Sequence, residues 1–393
     1  MPKERIGIMG GSFNPIHERH IEMAVCAKKE LKLNRVLFLP TGNPPHKREG
    51  LADAEHRFEM TRLAVFGMTD CTASRMEIDR EGVIYTVDTL TRLQKQMPDT
   101  AFDYIIGEDA LNELPNWRKP EKLVGMCRFV VCSRSAELSE KHPSVHALKK
   151  KGANFVFLSL PPRDVSSTAI RDQLARGETP HTLPPQVLEY IRLMGLYGTK
   201  PSCNGASRMY QQLRRTLSDK RLFHSVLVAA TARKLAMLHG VDADQAALAG
   251  LLHDCAKCLP IASMQRIAKE NRLLLDKETL QSGNLLHGHV GAVVAEKEYG
   301  ITDPNVLSAI RCHTTGKVGM LPLDMILYLA DKIEPSRRSY PALEEVRSLA
   351  QQDLAAALRH SLESTLAYVR SQNTEPHPTT QQVADWLKRI AKN

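Results

Sequence analysis

At 393 residues the chain is longer than one ordinary domain and predicts two, each large enough to bury its own core. Hydrophobic residues make up 42% and charged residues 25%, as in globular proteins, and no apolar run reaches the roughly 18 residues of a membrane helix. The net charge of +9 suits phosphate-rich ligands, and because the basic residues are spread out and not interleaved with aromatics, small nucleotides are favoured over nucleic acid.

The best candidate membrane run, Val226 to Leu238, is broken by Arg233 and Lys234. The N-terminal apolar run leads directly into a glycine pair, which is no secretory pattern. Eight scattered cysteines form no disulfide framework, so a reducing, cytoplasmic location is expected. Cys255 and Cys258 make a CxxC without a second pair nearby, which does not favour a zinc site.

In chain order, Arg5 to Met9 reads as a short buried strand. It runs into Gly10-Gly11-Ser12-Phe13-Asn14-Pro15-Ile16-His17-Glu18-Arg19-His20. Ile21, Ala24, Val25, Ala27 and Leu31 follow a 3.6-residue period, so a helix begins near His17. Strand, glycine turn and helix together form an anion site, with bare backbone N–H groups and a positive helix end aimed at one place. His17 and His20, one helical turn apart, project on the same face.

Arg35 to Pro40 is a second strand, followed by the loop Thr41-Gly42-Asn43-Pro44-Pro45-His46-Lys47. Residue type alone leaves Lys47 open between a phosphate contact and a solvated lysine. Asp53 to Phe66 predicts a helix, Ser74 to Ile78 a strand, and Tyr85 to Leu90 the start of a helix that Thr86 can cap. Phe102 to Ile106 is a strand ending in Gly107-Glu108-Asp109, and Trp117 lies on the polar stretch beyond. That tryptophan is either core or a flat face for a heteroaromatic ring. Strands at Arg128–Cys132 and Asn154–Leu160 complete a doubly wound parallel sheet. Val165-Ser166-Ser167-Thr168-Ala169-Ile170-Arg171 then opens a helix, and the planar fork of Arg171 matches phosphate geometry. Leu183 to Tyr197 reads as the closing helix of this half.

The Gly10–His20 run resembles the GG(S/T)F(D/N)PxHxGH signature of the nucleotidylyltransferase superfamily, whose Rossmann-like members transfer a nucleoside monophosphate from a triphosphate. The resemblance implies an ATP site at Gly10, Gly11, Ser12, Phe13, His17 and His20, with the histidines on the phosphates. Arg19 stands where that family has glycine, and a solvent-facing position is favoured for it over a phosphate contact. Val165 to Arg171 is similar to the family's (I/V)SSTx(I/L)R signature, which implies that Ser166, Ser167, Thr168 and Arg171 hold triphosphate oxygens. The P-T-x-x-P-P-H-K run, Tyr85-Thr86, Gly107-x-Asp109 and Trp117 resemble bacterial nicotinate-nucleotide adenylyltransferases. That implies a phosphate contact for Lys47 and a nicotinate mononucleotide site at Thr86, Asp109 and Trp117. Mg2+ would arrive with ATP, since no carboxylate cage is evident.

Gly198 to Ser207 combines glycine, proline and small polar residues, so the expected layout is 1–198, a linker at 199–207, and a second domain at 208–393. Beyond the linker only helical periodicity remains: Arg221–His239, Asp242–Lys257, Leu285–Tyr299, Asn305–His313, Leu323–Ile333 and Glu344–Val369. Asp331 lies among Ile326, Leu327, Leu329, Ala330 and Ile333 and needs a cation or donors. With His224, His253, Asp254, His287 and His313 it supplies enough ligands for two metals, Asp254 being a natural bridge.

The order H…HD…H…H…D resembles the HD phosphohydrolase superfamily. Leu285-Leu286-His287, His313-Thr314-Thr315-Gly316 and Leu329-Ala330-Asp331-Lys332-Ile333-Glu334 are similar to the bacterial HD hydrolases that cleave diadenosine tetraphosphate to two ADP. His287 is preferred over His289 as ligand, because those hydrolases have proline at the latter position. Lys257 is placed to meet a scissile phosphate. The His and Asp set without thiolate favours an iron or manganese di-metal centre. Three alternatives stay open: another phosphate acceptor for the first half, a nucleotide-sensing second half, or an RNA substrate there. A homo-oligomer is compatible with the sequence.

Overall fold

The computed structural model describes residues 4–43, 50–133, 135, 137 and 140–390. Lys47 lies outside them. The chain divides into two compact units, one running to Ile191 and including Leu196–Thr199, the other comprising Arg192–Gly195 and the residues from Lys200 onward.

The first unit is a six-stranded sheet in the order β3-β2-β1-β4-β5-β6, with β1 Glu4–Gly11, β2 Arg35–Pro40, β3 Cys71–Ala73, β4 Thr100–Gly107, β5 Arg128–Ser133 and β6 Phe155–Ser159. Every neighbouring pair is parallel. Ile6, Ile8, Leu39, Phe102, Ile106, Phe129 and Val131 bury their side chains against the flanking helices. Strands buried on both faces explain why these segments are continuously apolar rather than alternating. The order reverses between β1 and β4, and the crevice beyond the carboxyl ends of those strands is where open α/β sheets bind ligands. Gly11 and Gly107 end those two strands.

The third strand is shorter and earlier than expected. It spans Cys71–Ala73, while residues 74–79 turn, with the Met76 amide donating to Ser74 Oγ at 3.3 Å and the Asp79 amide to Arg75 O at 3.0 Å. Local side-chain and turn hydrogen bonds outcompete pairing in this short alternating stretch. Thr86 is the first helical residue of Thr86–Gln96, and Tyr85, not Thr86, occupies the capping position.

Among its described residues the second unit is entirely helical. The helices Asp219–Leu238 and Ala243–Leu252 meet at Gly250, where a Cβ would lie 2.7 Å from Ala229 Cα. Gly288 likewise lets helix Gly283–Lys297 approach the end of Pro304–Cys312, since its Cβ would come within 3.0 Å of Arg311 O. The long helix expected over 344–369 is two, Leu343–Leu349 and Leu354–Ser371. Asp353 caps the second by accepting from the Ala355 and Ala356 amides at 2.8 and 3.0 Å. A helix at Ala206–Thr216 begins inside the stretch read as linker. No helix among the described residues is long and apolar enough to cross a membrane.

Candidate active sites

The Gly10–Gly11 pair completes β1 instead of forming the turn, pairing with Leu39 and Pro40 of β2. Gly10 is required for a reason invisible in the motif: a Cβ there would stand 2.2 Å from the Tyr104 hydroxyl. Ser12 to His17 make the turn, and His17 caps the helix Glu18–Glu30 in extended conformation. The His17 amide donates to His20 Nδ1 at 3.3 Å, and the two rings stack with centroids 3.8 Å apart. Phe13 meets His20 edge-on at 5.1 Å.

Burial, helped by the Arg19 charge, lowers His17 to about 4, and burial with the facing His17 pushes His20 well below its usual range. Both imidazoles are therefore neutral near pH 7. His17 Nδ1 is buried without a hydrogen-bond partner. A bound anion would give it one and would favour the protonated ring.

The Ser166–Arg171 motif closes on this turn across the length of the unit. Ser166 caps helix Ser167–Ala175 through the Ala169 amide at 3.1 Å, Ser167 Oγ donates to Pro15 O at 3.0 Å, and Arg171 donates to Asn14 O at 2.9 Å and Thr168 Oγ1 at 3.3 Å. The remaining guanidinium donors of Arg171 stay available to an anion.

On the β4 side, Asp109 is exposed in the first turn of helix Glu108–Glu113. Trp117 is half-buried, packs on the core and meets Tyr104 edge-on at 5.7 Å. Thr86 hydrogen-bonds the Tyr104 hydroxyl, whose titration burial pushes up. Thr86, Tyr104 and Trp117 are thus neighbours, while Asp109 stands at the solvent edge.

In the second unit five elements bring six ligand candidates together. His224 comes from Asp219–Leu238, His253 and Asp254 from the end of Ala243–Leu252, His287 from Gly283–Lys297, His313 from the end of Pro304–Cys312, and Asp331 from Pro322–Ile333. Two overlapping groups, His224/His253/Asp254 and Asp254/His287/His313, share Asp254, and within each the ligand atoms lie inside 4.8 Å of one another. Asp254 Oδ1 is 3.0 Å from His287 Nε2, and Asp331 Oδ1 is 3.0 Å from His224 Nε2.

Backbone carbonyls orient the rings. Nδ1 of His253, His287 and His313 faces the carbonyls of Gly250, Gly283 and Ile310 at 2.7, 3.1 and 2.7 Å, leaving Nε2 for the centre. His253 Nε2 is buried without a hydrogen-bond partner. Burial lowers His253 and takes His313 to about 3, so both are neutral nitrogen donors. Burial alone would raise the carboxyls, but His253 and His287 outweigh it at Asp254, and Lys332 and His224 do so at Asp331, holding both ionised. The neutral rings of His253 and His313, the ionised Asp254 and Asp331 and the orphaned Nε2 of His253 fit a pair of divalent metals.

His289 joins no ligand group among the described residues, and burial and the Arg311 charge lower it to about 4. Cys255 donates its thiol to Gly291 O at 3.4 Å while Cys258 is exposed, and neither joins a ligand group among the described residues.

A cytidylyltransferase-like family model matches residues 8–173 and an HD domain model matches 221–336. A Mycoplasma genitalium protein named "Probable nicotinate-nucleotide adenylyltransferase/Ap4A hydrolase" is 31% identical, the alignment covering 86% of this chain and 89% of that one. The chain belongs to the nicotinate-nucleotide adenylyltransferase/Ap4A hydrolase family. A Mycoplasma pneumoniae protein of the same name is 30% identical over 93% of this chain and 98% of its own. A Clostridium acetobutylicum crystal structure, described as a "predicted HD superfamily hydrolase involved in NAD metabolism", is 36% identical over 48% of this chain and 97% of that one, with a TM-score of 0.45.

Several groups around both sites of this family member, Lys257 excepted, are given no role by the sequence motifs. Arg57, buried on helix Ala54–Val65, donates to the carbonyls of Ser12, Thr41, Gly42 and Ala52 at 2.6–3.0 Å and ties together the turns that leave β1 and β2. Asn14 accepts from the Ala52 amide and the Tyr197 hydroxyl at 3.0 and 2.8 Å. In the HD unit, buried Glu334 accepts from His224 Nδ1 at 3.1 Å. Arg221 reaches Asp254 at 3.3 Å, Arg337 pairs with Asp331, and Lys257 Nζ lies 3.2 Å from His287 Nδ1. For Arg57 no local signal exists, because its partners are carbonyls of other segments. For Arg337 the signal is its place just after the quoted Asp331–Glu334 run.

Proposed function

We propose that the first unit transfers AMP from ATP to nicotinate mononucleotide, and that the second hydrolyses diadenosine tetraphosphate symmetrically. The observation that carries the first half is the meeting of Ser166–Arg171 with the Asn14–Pro15 turn, over the reversal point of a parallel sheet. Oxygen of the mononucleotide phosphate attacks the α-phosphorus of ATP, the bond to the β-phosphate bridge breaks, and pyrophosphate leaves. This needs no protein nucleophile, and its demands are position and charge. His17, His20 and Arg171 supply donors to the triphosphate, helix ends at Glu18 and Ser167 add their positive poles, and Lys47 is assigned a further phosphate contact. The Gly10, Gly11, Ser12 and Phe13 segment, with Ser166 and Thr168, walls the phosphate site. Thr86, Trp117 and Asp109 are assigned to the pyridine nucleotide, with Trp117 offering its ring face.

In the second unit His224, His253, Asp254, His287, His313 and Asp331 would hold two metals, iron or manganese by the character of their donors. When bound, such a pair activates water and screens phosphate charge. Glu334 fixes the orientation of His224, and Arg221, Lys257 and Arg337 surround the centre with cations for a polyphosphate. Cleavage between the second and third phosphates gives two ADP. All eight cysteines are unpaired, which supports a cytoplasmic location.

The test is product identification with purified full-length protein given ATP and, separately, nicotinate mononucleotide, nicotinamide mononucleotide or phosphopantetheine, alongside metal analysis and an assay with diadenosine tetraphosphate. Nicotinate adenine dinucleotide and ADP are expected. A preference for another acceptor refutes the first assignment, and metal-replete protein that binds but never cleaves the polyphosphate refutes the second.

A further inference from the structure

Arg19 occupies the place between the two histidines where the resembling family has glycine, and it does not face solvent. Its side chain is 13% exposed, and its guanidinium donates to Pro161 O at 2.8 Å while lying 3.5 Å from Glu22. Pro161 lies in the segment that leaves β6 and leads directly to Ser166. The same segment is tied a second time, because Arg163 reaches Glu18 and Glu22, each at 2.8 Å. A third tie runs from the Glu18 amide to Thr182 O at 3.0 Å. The first turn of the histidine helix is thus bound to the chain on both sides of helix Ser167–Ala175, in addition to the direct contacts of Ser167 and Arg171 with Pro15 and Asn14.

We infer that Arg19 is a positioning residue for the triphosphate: by holding Pro161 it sets the distance between the His17–His20 pair and the Ser166–Arg171 helix before ATP arrives. A bond from this partly buried guanidinium to the exposed Pro161 carbonyl is an effective tether, since the donor is charged and its planar group has few orientations to lose. Glycine at this position would leave the Pro161 carbonyl without that donor and would loosen the first helical turn. The triphosphate would then have to order the segment on binding, which weakens affinity without altering the reacting atoms. Arg163 cannot replace the contact, because it joins side chain to side chain at 47% exposure and is correspondingly weak.

This inference rests on reading the first unit as an ATP site, but not on which acceptor it uses. The experiment measures ATP binding to full-length wild type, Arg19→Gly and Arg19→Lys by calorimetry, together with KM for ATP and for the acceptor in steady state. Arg19→Gly should weaken ATP binding and raise its KM about tenfold, the equivalent of about 1.4 kcal/mol. The acceptor KM should change far less. Arg19→Lys, which retains a donor to Pro161 O but not the fork, should fall between. Hydrolysis by the HD unit serves as an internal control for protein concentration and should be unchanged in both variants, and circular dichroism checks that the first unit is folded. Wild-type ATP affinity in Arg19→Gly overturns the inference, as does an equal loss for ATP and acceptor. If Arg19→Gly fails to fold, Arg19→Met, which keeps the helix former but has no donor for Pro161 O, takes its place, and wild-type ATP affinity there overturns the inference too. Wild-type protein that binds ATP but adenylates a different acceptor would refute the acceptor assignment alone, and wild type without ATP binding would refute both.

Discussion

Replacing Gly10 by alanine tests whether the glycine of the phosphate motif is there for the nucleotide or for the sheet. An added Cβ would lie 2.2 Å from Tyr104 Oη and 3.1 Å from Cζ, so the phenol must retreat by the better part of an ångström. It has little room, because Tyr104 is buried, hydrogen-bonded to Thr86, and flanked by Trp117 and Phe129 with ring centroids at 5.7 and 6.4 Å. Overpacking of this kind costs about 1–3 kcal/mol. For a unit of this size each kcal/mol lowers the melting midpoint by about 2–4 °C. Thermal unfolding with and without ATP identifies the transition of the first unit, which should shift down in Gly10→Ala. Because Tyr104 supports Thr86 and Trp117, the KM for nicotinate mononucleotide should rise more than the KM for ATP. Removing the hydroxyl should relieve part of the strain, so Gly10→Ala should cost less in a Tyr104→Phe background than in wild type. The relief is incomplete because Cζ remains tight. A Gly10→Ala variant with the wild-type midpoint and acceptor KM, or an undiminished cost in the Tyr104→Phe background, would refute the reasoning.

Asp254→Asn should remove most bound metal and abolish polyphosphate cleavage while sparing dinucleotide synthesis, checked by elemental analysis and both activity assays. Arg337→Ala should raise the KM for diadenosine tetraphosphate about tenfold, the loss of one charged hydrogen bond of about 1.5–3 kcal/mol being partly offset by solvent, as read by steady-state kinetics. His17, lowered from 6.5 to about 4 in the folded state, makes stability pH-dependent. As pH falls from 6.5 toward 4 the unfolded chain takes up a proton the folded one refuses, so stability is full above that window and declines through it. His17→Gln should flatten that decline in urea unfolding followed across pH. Trp117→Ala should raise the KM for nicotinate mononucleotide about 2–10-fold, if the ring contributes the 0.5–1.5 kcal/mol of an aromatic contact beyond its area.

Much of both units is legible in the chain itself wherever the determining interaction is local. Apolar runs mark β1, β2, β4 and β5, because strands covered on both faces have little polar side to show, and the partly exposed edge strand β6 is marked by its aromatic and aliphatic run. The histidine pair, the Ser166 cap and the H…HD…H…H…D order can be read because each depends on residue type at short spacing or on order along the chain. Reading fails where short-range patterns compete. Five residues at 74–78 alternate like a strand yet turn, and Asp353 starts a new helix where the periodicity predicts one unbroken helix.

What only the tertiary structure decides are the meetings between distant segments. Arg171 finds Asn14 across 157 positions, and His224 finds Asp331 across 107, distances at which sequence carries no geometry. The motif that opens the chain shows the difference within a few residues. Its sequence is enough to predict a strand, a turn and a helix carrying two histidines on one face. That Gly10 yields to Tyr104, and that Arg19 turns inward to Pro161, depend on atoms brought there by β4 and by the segment after β6. Backbone propensity and side-chain period act over a few bonds, whereas steric exclusion and hydrogen-bond partnership act through space, and only folding brings those partners into range.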